Sequence, residues 1–274
     1  MKKIFLIILL VLPFFSIAQR KPKIKGNKSV TQVSEGLPAF NAIELNDDLT
    51  IKLKKSSSEA YAIEADDNLI DVLKFDVEDS TLTISSFYNI TSKKKLDIVV
   101  SYKELKQITQ RDGKIEMLDA LSTDELVIIA LGSSKMDINA SAFVAILNME
   151  GNSKGDFNLD VDSLSVNLKN KADAEIYSIS SVKNVELYNT ASIAIEGTTD
   201  TLNLKMYNNT KFTGQKLGAR AVNAQVEAST SARINALREI ELKSRGNAKT
   251  YLYSDPKISI LEFLDTSQLL KKEN

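Results

Sequence analysis

The chain has 274 residues, 35 basic and 36 acidic, a balance that offers nucleic acid no surplus of positive charge. It contains no histidine and no cysteine, which removes the commonest general base, thiol nucleophiles, disulfides and nearly all zinc or copper centres. Its 43% hydrophobic content is enough to build a substantial core and excludes a chain that is mostly disordered.

Residues 1–18 read as a secretory signal: Lys2 and Lys3, an apolar run from Ile4 to Phe15 broken by Pro13, then Ser16-Ile17-Ala18. The competing reading, an uncleaved membrane anchor, suffers because the run falls short of the about 20 residues a span needs. Cleavage leaves 33 basic against 36 acidic residues, net −3, and no transmembrane segment. The expected location is exported: periplasm, cell surface or extracellular. Residues 19–39 follow as a flexible basic leader, with Arg20, Lys21, Lys23, Lys25 and Lys28 around Pro22 and Gly26.

Residues 40–100 alternate apolar and polar positions, as in Ile43-Leu45, Leu49-Ile51-Leu53, Leu82-Ile84 and Leu96-Ile98-Val100. That period of two, broken by turn-forming stretches such as Lys55-Ser56-Ser57-Ser58, predicts an antiparallel β cap. Asn68 to Leu73 fits a single helical turn with Leu69, Ile70 and Leu73 as its buried side. The doublets Asp47-Asp48 and Asp66-Asp67 read as solvated turns.

From residue 101 to 257 one pattern recurs. Runs of alternating residues start at Leu105, Leu126, Ala145, Leu164, Lys183, Leu202, Val222 and Ile240, at intervals of 18 to 21 residues. The first run places Leu105, Gln107, Thr109, Arg111, Gly113, Ile115 and Met117 on the inward face, and the later runs follow the same spacing. Gly132, Gly151, Asn170, Asn189, Asn208, Ala228 and Gly246 then fall into one column. Glycine and asparagine tolerate a left-handed backbone, so this column marks a corner, and its three successive asparagines suit a side-chain ladder. Matched columns at a period near 19 predict an all-β fold, a parallel β-helix of about eight coils. A β-sandwich would show equally frequent strands but no matched columns.

The residues resemble the putative autotransporter-adhesin head, or GIN domain, family. The likeness rests on Phe40-Asn41-Ala42-Ile43-Glu44-Leu45, on Leu82-Thr83-Ile84, on corners such as Leu131-Gly132-Ser133-Ser134 and Met149-Glu150-Gly151-Asn152-Ser153, and on Tyr253-Ser254-Asp255-Pro256-Lys257-Ile258. It spans Phe40 to Ile260. The resemblance implies a right-handed β-helix outside the cytoplasm with adhesin-like binding, and implies no catalytic residue.

No nucleotide-binding glycine loop and no Gly-x-Ser-x-Gly elbow is present. The chemistry left is carboxylate chemistry. Glu116, Asp137, Asp156 and Glu175 share one outward column on neighbouring coils, spaced by about 4.8 Å. Such a row could gather cations or meet a partner, yet Lys114, Lys135 and Lys154 run two positions earlier, which favours a solvated charge mosaic. Tyr188 and Tyr207 also stack outward, one coil apart, as a candidate binding platform for a glycan or protein. Asp160-Val161-Asp162 has the spacing of a partial calcium loop but lacks its glycine and distal glutamate. No catalytic residue, metal centre or cofactor is expected.

Residues 258–274 hold Ile258, Ile260, Leu261, Phe263, Leu264, Leu269 and Leu270, too apolar for a free tail, and are expected to lie across the last coil as a cap or to dock on another protein or the outer membrane. The sequence thus predicts an exported, adhesin-like structural or binding module without catalysis. The alternative is a carbohydrate-active β-helical enzyme, lyase or glycosidase in type, that uses outward carboxylates.

Overall fold

The computed structural model describes residues 21–273; the signal segment expected at residues 1–18 lies outside the described residues. The alternation that recurs along the sequence becomes a parallel β-solenoid of about nine turns. Lys135–Met149, Lys154–Leu168, Asp173–Leu187 and Ser192–Met206 are long strands stacked in parallel. Lys211–Ala228 and Ser231–Gly246 continue the stack. Each strand spans almost a whole coil because it bends without losing its ladder. The inward positions step by two to Leu159 and Val161, then skip to Leu164, so alternation changes phase near Asp162.

The second bend in each coil is the corner expected from the glycine and asparagine column. Gly132, Gly151, Asn170, Asn189, Asn208, Ala228 and Gly246 all have φ between 60° and 86°. The corners are bonded to one another: the amides of Asn152, Thr190 and Asn209 donate to the carbonyls of Gly132, Asn170 and Asn189 at 2.7, 3.0 and 2.8 Å. The asparagine ladder is also present. Asn189 Nδ2 donates to Asn170 Oδ1 at 2.7 Å, and Asn208 Nδ2 to Asn189 Oδ1 at 3.0 Å. A second ladder, which the column reading missed, runs Asn184, Asn203, Asn223 at 2.8 and 2.9 Å.

Burial follows from the register. One inward column passes through Leu82, Ile43, Ile108, Ile128, Leu147, Val166, Val185, Leu204, Ala224 and Leu242 to Ile260. All are buried except Ile260. Large and small residues compensate within a coil. A Cβ on Gly155 would lie 2.4 Å from the Phe157 ring, and one on Gly214 2.4 Å from the Phe212 ring, so each phenylalanine fills the space that its glycine leaves.

One inward position of the long coils carries a charge. Lys183 is fully buried between Leu164 and Leu202 of the adjacent coils. Its ammonium donates to Ser178 O (3.1 Å), Ser180 Oγ (2.7 Å) and Thr198 O (2.9 Å), all neutral acceptors. Among the described residues it forms no ion pair, and burial pushes its pKa down to about 8. The ladder is irregular beside it, between Ala194 and Gly197, and Gly197 adopts φ 112°.

The first run departs from its expected phase only between Leu105 and Gly113, both of which are buried as expected together with Ile115. Gln107 and Arg111 are exposed, and Ile108 and Gln110 face inward, paired with Ile128 and Ala130. The physical reason is Arg111: turned outward, its Nε donates to Glu44 Oε1 at 2.9 Å rather than lying unpaired in the core.

The N-terminal block is more closely joined to the stack than an antiparallel cap. Ala60–Asp66 does pair antiparallel with Val30–Gly36 and Leu96–Tyr102, and Leu73–Glu78 with Thr81–Ser86. However, Ala42–Leu45 and Thr50–Lys55 run parallel to Gln107–Gln110 and Lys114–Met117 and start the solenoid. The helical turn expected at Asn68 to Leu73 is found at Asp67–Ile70 with Leu69 buried and Ile70 half-buried, whereas Leu73 begins the strand Leu73–Glu78. From Lys21 onward the stretch read as a leader is structured: Lys23–Lys25 pairs with Asn89–Ser92, and Val30–Gly36 is an edge strand. Its side chains are mostly exposed, so it carries no apolar alternation to announce a strand.

One residue of each acidic doublet is an anchor, while Asp48 and Asp67 are exposed as expected. Asp66 is buried and accepts from the amides of Lys28, Lys94 and Lys95 at 3.2, 3.1 and 3.1 Å. Burial pushes its carboxyl up, but these donors outweigh that and hold it below the usual carboxylate range. Asp47 accepts from the Ser86 amide at 2.8 Å and from Lys21.

At the other end, the apolar segment continues the helix instead of crossing it. Lys257–Phe263 pairs in parallel with Ser231–Gly246, and Gln268–Lys271 with Lys249–Tyr253.

Candidate binding surface

The outward face of the first long coils holds the acidic row in the expected register. Glu116 pairs with Asp137, Asp137 with Asp156, and Asp156 with Glu175. Lys114, Lys135 and Lys154 form the neighbouring row, which ends at Asp173. The two rows touch at one end, where Lys114 and Glu116 form an ion pair. Glu116, accepting from Lys114, holds the ammonium above its usual range, and Asp137 and Asp156 add to the effect. Asp137, Asp156 and Glu175 are exposed. Among the described residues no group of three carboxylates is close enough to hold a metal ion.

The next outward column, which the sequence reading passed over, is Asn139, Asn158, Tyr177 and Glu196. Asn158 Nδ2 donates to Asn139 Oδ1 at 3.4 Å, and Lys216 pairs with Glu196 at 2.7 Å. Tyr177 is 52% exposed. Together the columns line a shallow hollow of about 550 Å³ that includes Asp137, Asn139, Asp156, Asn158, Glu175 and Tyr177. An aromatic face beside amides and carboxylates on a rigid sheet can stack on a ring and hydrogen-bond its hydroxyl or amide groups. The signal was present in the sequence: Tyr177 lies two residues beyond Glu175 and therefore on the same face.

Tyr188 and Tyr207 stack as expected, with ring centroids 5.0 Å apart and planes 15° from parallel. They are less available than Tyr177. One face of each ring is taken by the other, and Lys169 Nζ lies 5.8 Å from the Tyr188 ring centre. Tyr188 donates to Glu186 Oε2 at 2.9 Å, and Lys205 pairs with Glu186 at 2.8 Å. The hydrogen bond to Glu186, together with burial, pushes the Tyr188 phenol up to about 12. The tyrosine pair and the acidic row are separate features: the pair engages Lys169 and Glu186, which lie outside the row.

Asp160 and Asp162 are on the strand Lys154–Leu168, not in a calcium loop, with Val161 buried between them. They border a larger hollow of about 680 Å³ with Phe143, Asp124, Lys55 and Lys106. Four carboxylates, Glu104, Asp124, Asp160 and Asp162, face two lysines, Lys55 and Lys106, so the hollow is acidic on balance.

Among the described residues no helix is long and apolar enough to cross a membrane. No curated protein matches the chain. Solved structures share its fold at low identity. A putative adhesin from Parabacteroides merdae superposes with a TM-score of 0.67 at 15% identity, over 92% of this chain and 99% of that one. A second putative adhesin, from Parabacteroides distasonis, gives 0.65 at 15% identity over 92% and 98%. A protein from the same organism described as a putative lipid binding protein gives 0.64 at 16% identity over 91% and 99%. The profile of one family matches residues 39–187 and 147–256, almost the whole solenoid. The chain belongs to the family described as putative auto-transporter adhesin, head GIN domain.

Proposed function

We propose that this protein is an exported, adhesin-like module that binds a surface glycan or protein through the Tyr177 face of its solenoid and performs no catalysis. The observation that carries the reading is the exposed Tyr177 in a hollow bordered by Asn139, Asn158 and four carboxylates. A solenoid presents such a face without rearrangement, because the backbone ladder holds its outward positions in register. Family membership and the adhesin-described structures of the same fold support the adhesin-like part. The export part rests on the signal sequence at residues 1–18. Tyr188 and Tyr207 provide a second, smaller aromatic contact.

A glycan array together with a whole-cell binding screen tests the proposal. Tyr177→Ala should reduce the strongest signal at least about tenfold, the loss expected when a stacked aromatic anchor is removed. Tyr207→Ala should have a smaller effect. Unchanged binding by Tyr177→Ala refutes the assignment of the face. Turnover of a polysaccharide that disappears in the Asp137→Asn plus Asp156→Asn double variant would replace it with the enzyme reading.

A further inference from the structure

The two ends of the solenoid are built differently. At the N-terminal end, inward residues such as Ile43 and Leu82 are buried beneath the antiparallel strands. At the C-terminal end the inward columns reach Ile258, Ile260 and Phe263, which are 45%, 52% and 40% exposed. They are interior residues by register, since Ile258 continues the column of Ile240 and Ile260 that of Leu242. The terminal strand Lys257–Phe263 pairs on one edge only, with Ser231–Gly246. Its outer edge therefore presents unpaired backbone donors and acceptors above an apolar floor, an arrangement that invites strand addition. The residues of this chain outside the structure are 1–20, which precede Lys21 at the far end, and Asn274.

We infer that this end is a self-association surface on which a second copy of the chain stacks end to end, its Lys257–Phe263 edge pairing antiparallel with the same edge of the first. A second coil of the same section is the body whose apolar columns match those left open. The charge pattern also fits a twofold arrangement. With the axis through Ser259, Ile258 of each copy faces Ile260 of the other, and the inward faces stay continuous. Lys257 of each copy then falls opposite Leu261 of the other, the residue skipped by the ladder, and beside Glu262, so opposite charges are neighbours at both flanks. Such an interface is isologous and closes at two copies, because the other ends carry their own cover. The inference does not depend on the Tyr177 face.

Sedimentation velocity of the purified chain over a dilution series tests it, with a monomer–dimer equilibrium as the expected result. Ile260→Lys should raise the dissociation constant at least about tenfold. Lys257→Glu should also weaken the dimer, and Lys257→Glu combined with Glu262→Lys should restore it. These two outward positions keep the test meaningful if Ile260→Lys loosens the last coil, which circular dichroism melting would reveal. A monomer at every concentration overturns the inference. So does a dimer that is indifferent to both Ile260→Lys and Lys257→Glu, or an assembly that keeps growing with concentration.

Discussion

Lys183 makes the energetic logic of the solenoid testable through one side chain. Its folded pKa is about 8 against an ordinary 10.5. Above pH 10.5 both states are neutral, and below pH 8 both hold the proton, but in between the unfolded chain binds more protons than the folded one. Stability therefore rises as pH rises from 8 to 10.5, and below pH 8 the full charging penalty applies, about 3 kcal/mol from the pKa difference. Lys183→Met removes that penalty and leaves Ser178 O, Thr198 O and Ser180 Oγ without the ammonium, which costs back roughly 1–2 kcal/mol. The variant should be more stable than wild type by about 1–2 kcal/mol at pH 7. It should lose that advantage by pH 11. Urea denaturation followed by far-ultraviolet circular dichroism, on both proteins at several pH values, measures the difference directly. A wild-type-minus-variant difference that stays constant between pH 7 and pH 11 would refute a buried, uncompensated ammonium.

Ala228 holds φ 62° at a corner where its counterparts are glycine or asparagine, so Ala228→Gly should stabilise the fold by about 1 kcal/mol, read from the urea midpoint. In contrast, Gly155→Leu places side-chain atoms where the Phe157 ring lies and should cost about 1–3 kcal/mol. Ser153 Oγ is buried without a hydrogen-bond partner in a column that elsewhere holds Ala172 and Ala191; Ser153→Ala should be neutral or stabilising, within about 1 kcal/mol. Asp66 has a depressed folded pKa, so its contribution is present above the unfolded value of about 3.9 and is lost as pH falls through the folded one. Acidification should therefore lower the protection of the Lys28, Lys94 and Lys95 amides, measured as the intrinsic exchange rate at each pH divided by the observed one, and Asp66→Asn should abolish that pH dependence.

Much of the fold was legible because a solenoid writes its geometry into local periodicity. Residues two apart share a face, and residues about 19 apart stack. The corner column from Gly132 to Gly246 could thus be found without knowing any contact, and its left-handed backbone followed from the residue types. The acidic row and the Tyr188–Tyr207 stack were placed by the same counting. Counting failed where the decisive term was a single partner far away in sequence. The phase of the first run was decided by Glu44, which draws Arg111 outward. The leader was ordered by an edge strand whose backbone bonds leave no mark on side-chain composition, and by Asp66, a carboxylate whose three donors come from two distant segments.

The sequence by itself determined the coil length, the corners and the sorting of residues into inward and outward columns, since these depend on backbone geometry and on neighbours a fixed number of residues apart. The tertiary structure alone decided how exposed each column is. It showed that Tyr177 stands open while Tyr188 and Tyr207 cover one another, that Lys183 sits among apolar neighbours with only neutral acceptors, and that the last inward residues have no coil above them. Exposure is a property of the whole stack, set by which coil comes next and where the stack stops, and no local pattern carries it.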